Sequence, residues 1–140
     1  IEGRLIERVL NTTDDVWESQ CVAAMHRLKR CLQQEDFDHV ENLKKWVQLS
    51  QQLMQTLYSA CGSEWLWRSY QGLYLHAMSY EYQALISIEE PKPYIEAMFQ
   101  AYEKLVDQCV DRQLSRALKL QENYLTQLTD FIEPYFEQRG

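Results

Sequence analysis

The chain has 140 residues, 46% of them hydrophobic, which is enough to bury a core in one domain without disulfide or metal staples. Only 4 Gly and 3 Pro punctuate long stretches of Leu, Gln, Glu, Ala, Lys and Met, so local propensity favours helix throughout, and a β fold would lack both turns and alternation. With 21 acidic against 14 basic residues the net charge is -7, which argues against DNA or RNA as a partner.

Residues 1–4, Ile-Glu-Gly-Arg, match the recognition sequence of a processing protease and are read as a leftover of expression, leaving 5–140 as a single helical domain. Thr12, Thr13, Asp14 and Asp15 offer a cap and first-turn carboxylates, which predicts a first helix over about 14–33. Its apolar residues Trp17, Cys21, Ala24, Met25, Leu28, Cys31 and Leu32 make one face, with His26 opposite it. Asp36 or Asp38 caps a second helix over about 38–61, which Gly62 stops. That helix carries a heptad stripe of Val40, Leu43, Val47, Ser50, Met54, Leu57 and Cys61, widened by Trp46, Leu49 and Leu53.

Ser63 then caps a third helix over about 64–88, and so short a connection forces an antiparallel hairpin. Pro93 suits the first turn of a fourth helix, over about 93–132, with no breaker before Pro134. The fold class is thus an all-α, antiparallel four-helix-type bundle, but the last helix is about 60 Å long if unbroken, too long for its neighbours. Either it breaks near Asp111 to Gln113, where the apolar pattern drifts, or its second half overhangs onto Leu5 to Leu10 or another subunit.

Cys21 and Cys31, ten residues apart, stand about 15 Å from each other along one helix and cannot bridge within it. Together with Cys61 and Cys109 they fall on or beside apolar stripes, which implies reduced, buried thiols. No apolar run approaches the roughly 18 residues of a membrane span, and no signal-peptide pattern is present, so a cytoplasmic location is expected and membrane association is not.

The motifs of chemistry are missing. No Glu is followed three residues later by His, as di-iron bundles require, and Asp36-x-x-His39 is one acid with one imidazole. There is no Cys-x-x-Cys, no nucleophile elbow and no phosphate-cradling glycine loop, so neither metal, cofactor nor enzyme activity is expected. Two basic clusters, Arg27, Lys29 and Arg30, and Arg112, Arg116 and Lys119, read as solvated helix faces rather than anion sites.

The third helix carries the functional argument. Its main face runs through Leu66, Trp67, Tyr70, Leu73, Tyr74, Ala77, Met78, Ala84, Leu85 and Ile88. A second strip, Leu75, Tyr82 and Ile86, lies to the side, and Trp65 and Tyr80 form a third sector. Such excess either lies under another segment of the chain or is a docking face, because aromatics concentrate at interface hot spots. Glu81 falls in the main face and needs an Arg, a Tyr hydroxyl or water as partner. The leading expectation is a non-enzymatic protein-protein interaction module, an adaptor, dedicated chaperone or inhibitor/immunity-type protein. It would bind another protein or a second copy of itself through Leu75, Tyr82, Ile86, Trp65 and Tyr80. The alternatives are an amphipathic coat on a lipid or polymer granule, and a cofactor-binding bundle that uses His76 with a Met or Cys.

Overall fold

A computed structural model describes residues 4, 6, 7, 15–34, 39–59 and 64–139, without the side chains of 64–67, 69–71, 73–76, 114 and 135–139. It is all-helical. Five helices are described: α1 (Asp15–Leu32), α2 (Val40–Tyr58), α3 (Glu64–Ser87), α4 (Lys92–Val110) and α5 (Leu114–Arg139). No helix among the described residues is long and apolar enough to cross a membrane.

In α1, Trp17, Cys21, Ala24, Leu28 and Cys31 recur every three or four residues and are buried, as helical periodicity requires of a core-facing stripe. Asp15 and Glu18 in its first turn and Lys29 and Arg30 in its last complement the helix dipole. His26 is exposed, as the spacing places it. Helix α2 buries Leu43, Trp46, Val47, Ser50, Leu53, Met54, Leu57 and Tyr58. His39, rather than an aspartate, occupies its N-cap, and makes no side-chain cap bond; Asp36 and Asp38 lie outside the described residues, as do Ser63 and Gly62.

The long fourth segment breaks. Helix α4 ends at Val110, and Arg112 takes φ 60, the left-handed conformation usually left to glycine. The Gln113 N–H donates to Gln108 O at 2.9 Å and the Arg112 N–H to Cys109 O at 3.1 Å, the paired bonds of a Schellman stop. Gln113 O then accepts from the Ala117 N–H at 2.9 Å, so α5 starts without a spacer. The expected end near residue 132 is passed: α5 runs through Pro134 to Arg139. Pro134 is exposed, so water can satisfy the carbonyl that its missing N–H leaves free.

Packing pairs α1 with α2, α2 with α3, α3 with α5, α5 with α4, and α4 with α1, which closes the helices into a ring around one core. Trp46, Tyr58, Tyr102 and Tyr124 are the largest fully buried side chains, joined by Leu28, Leu53, Met54, Leu57 and Leu85. Ile6 is also fully buried, so the chain near its start reaches this core. Folding α5 back onto α3 is what a hairpin at Arg112 makes possible.

Candidate functional site

Polar groups inside an apolar ring are costly unless they are paired, so their placement marks where the core does more than pack. Ser50 Oγ is fully buried and donates to Trp46 O, four residues back, at 2.9 Å. About two turns further along α2, the buried Tyr58 hydroxyl accepts a bond from Gln121 Nε2 of α5 at 2.5 Å. On the same inward ridge of α5 stands Tyr124, whose ring meets Tyr102 of α4 edge-on at 5.6 Å and 64°. Tyr102 in turn stacks on Trp46 at 6.3 Å and 29°. Three helices thus place an indole, three tyrosines, a serine and a glutamine in one interior cluster.

Within that cluster, Trp46 Nε1 is buried and has no hydrogen-bond partner among the described residues. The contrast with Trp17 is informative, since its indole N–H is shared between Thr56 O at 3.1 Å and Leu57 O at 3.2 Å. An unmet buried donor costs about 1–3 kcal/mol, and an acceptor brought in from outside would recover it.

Glu81 lies beside this cluster, 1% exposed, and accepts the Tyr94 hydroxyl proton on Oε2 at 2.7 Å. Burial pushes its carboxyl up to about 7, with the Tyr94 bond pulling the other way. Tyr94 itself is held far above the ordinary phenol range, first by burial and then by the Glu81 and Tyr102 charges, so it remains a neutral donor. Its ring stacks on Phe131 at 3.7 Å and 12°, which fixes the hydroxyl toward α3.

Of the residues expected on the third-helix docking face, three have described side chains, and these differ in exposure. Tyr80 is buried at 9% exposure and Tyr82 is half-buried against the core, whereas Ile86 is 46% exposed. The side chains of Trp65, Leu75 and His76 lie outside the described ones. His39 is exposed, and among the described residues no group of three His, Cys, Asp or Glu could hold a metal ion. Cys21, Cys31 and Cys109 are free and buried, with Cys61 outside the described residues.

Sequence reasoning placed Trp46, Ser50, Tyr102 and Tyr124 on apolar stripes and read them as core alone. The available signal was Gln121: it occupies the inward register between Ala117 and Tyr124, where a purely structural stripe would carry an aliphatic residue.

Against known families, residues 1–127 match the model of the FCD domain. No curated protein and no solved structure matches the chain.

Proposed function

Because the chain belongs to the FCD domain family, we propose that it is a small-molecule-sensing regulatory domain whose ligand contacts the interior cluster of Trp46, Tyr102 and Tyr124. FCD domains are helical and usually form the ligand-binding, regulatory C-terminal part of GntR-type regulators. They are non-catalytic, which accords with the lack of a nucleophile or metal motif in the sequence. They often oligomerise, so a second copy is a fitting partner, but the family lends no support to an adaptor or chaperone role. In these regulators a separate domain binds DNA, so the acidity of this chain describes the sensing part and not a complete regulator. Sensing for such a regulator belongs where the DNA is, which keeps the cytoplasmic expectation within this proposal.

The observation that carries the reading is the unpartnered indole N–H of Trp46 in a cluster of otherwise bonded polar groups. It calls for a ligand with a hydrogen-bond acceptor and a face that can lie against tyrosine rings. Because Trp46 is on α2, Tyr102 on α4 and Tyr124 on α5, such a ligand would tie together three members of the ring and bias their packing. Thermal denaturation against a panel of small organic acids, amides and polyols tests this. At least one should raise the melting temperature by several degrees, as mass action requires at ligand concentrations far above Kd. Trp46→Phe should abolish that rise while remaining folded. A panel without effect, or an equal rise in the variant, overturns the proposal.

A further inference from the structure

On the outside of the α4–α5 hairpin is a cleft of about 360 Å³ that the sensing role does not use. Lys104, Asp107 and Gln108 stand along α4 at helical spacing, and Arg116, Lys119, Leu120 and Asn123 face them along α5. Three cations against one carboxylate is an inversion of the balance of a chain with net charge -7. Among the described residues none of Lys104, Arg116 and Lys119 enters an ion pair, so the positive field of the cleft is not neutralised from within. A second observation is independent of charge: Gln108 Oε1 is buried and has no hydrogen-bond partner among the described residues. Asp107 supplies a further acceptor on the same wall.

We propose that this cleft binds a small hydroxylated anion, its phosphate or carboxylate held by Lys104, Arg116 and Lys119 and its hydroxyls by Gln108 and Asp107. Cations alone would attract any anion. The acceptor wall discriminates, because a fully deprotonated inorganic anion such as sulfate gives Gln108 Oε1 nothing to accept and repels Asp107. The volume suits a molecule the size of a three- to six-carbon polyol acid or polyol phosphate. The basic cluster at Arg116 and Lys119, a solvated face by spacing alone, becomes one wall of this site once the break at Arg112 folds it against α4.

Isothermal titration of the whole chain with glycerol 3-phosphate, glycerate and sulfate tests the proposal, and the first two probes distinguish phosphate from carboxylate. One of them should bind saturably at one per chain and more tightly than sulfate. Lys104→Gln with Lys119→Gln should weaken it by about tenfold or more, the loss of one to two charge-assisted contacts. Gln108→Leu should weaken the hydroxylated probe severalfold and leave sulfate unchanged. Arg27→Gln, which removes one cation from the separate cleft between α1 and α2, should have no effect. Helical circular dichroism checks that each variant is folded, and the lysine pair is decisive if Gln108→Leu is not. Absence of saturable binding, an equal effect of Arg27→Gln, or a short DNA duplex bound through the same two lysines overturns the assignment.

Discussion

Glu81 carries a pH dependence whose sign follows from its raised carboxyl. Its folded pKa, about 7, exceeds the ordinary carboxyl value of 4.5, so between these two pH values the folded state holds a proton that the unfolded state releases. The stability associated with that proton is full below about 4.5 and is lost as pH rises through 7. Glu81→Gln, which can still accept from Tyr94, should therefore flatten this slope and be more stable than the native chain at pH 8 by one to roughly 3 kcal/mol. Urea denaturation at pH 5 and pH 8 measures both quantities. A variant less stable than the parent at pH 8 would show that the carboxylate is better compensated than one tyrosine allows. The thiols behave differently: burial pushes Cys21 and Cys109 up to about 12, Cys21 also feeling Cys109 and Glu18. Neither should react with an aromatic disulfide reagent at pH 8 in the native state, and both should react once the chain is unfolded. Rapid labelling of either in the folded protein would contradict their burial.

The element that decides the architecture is the stop at Arg112. From sequence, residues 93–132 read as one helix with a weak point at Asp111 to Gln113, because a Schellman stop is normally announced by glycine and here the left-handed position is an arginine. What holds Arg112 there is legible only in three dimensions. Its guanidinium lies 3.3 Å from Glu18 and 5.8 Å from the centre of the Trp17 ring, both on α1. Arg112→Ile should cost about 1–2 kcal/mol, since a β-branched residue is strained at positive φ and also loses these contacts. Arg112→Gly should stay within about 1 kcal/mol of the parent, because relief of the backbone offsets an exposed ion pair and a cation–π contact of similar size. Chemical denaturation ranks the two; an isoleucine variant as stable as the glycine one would mean that the turn is not strained.

At the scale of the molecule, most of the fold was legible and the site was not. Helix positions followed from the spacing of residues such as Trp17, Cys21, Ala24 and Leu28, which nothing but a helix can bring to one face. The ring order, in contrast, depends on α5 returning to α3, a tertiary choice that periodicity does not encode. The aromatic excess at Tyr80, Tyr82 and Ile86 reads as surface from spacing alone, yet Tyr80 is buried, and Ile86 is the one large hydrophobic exposed among the described side chains of α3. Trp46 was hidden for the opposite reason: an indole on an apolar stripe looks like packing until its N–H is traced and found without an acceptor. The two proposed sites lie on opposite sides of the same two helices, since α4 bears Tyr102 inward and Lys104 outward, and α5 bears Tyr124 inward and Lys119 outward. If Trp46 donates to a bound small molecule, the indole N–H resonance of Trp46 in a nitrogen-15 spectrum reports on it directly. On adding the compound that raises the melting temperature, this resonance should move downfield, as a donor gaining an acceptor does, while that of Trp17 stays in place. Saturation by the same compound with the Trp46 resonance unmoved would contradict it.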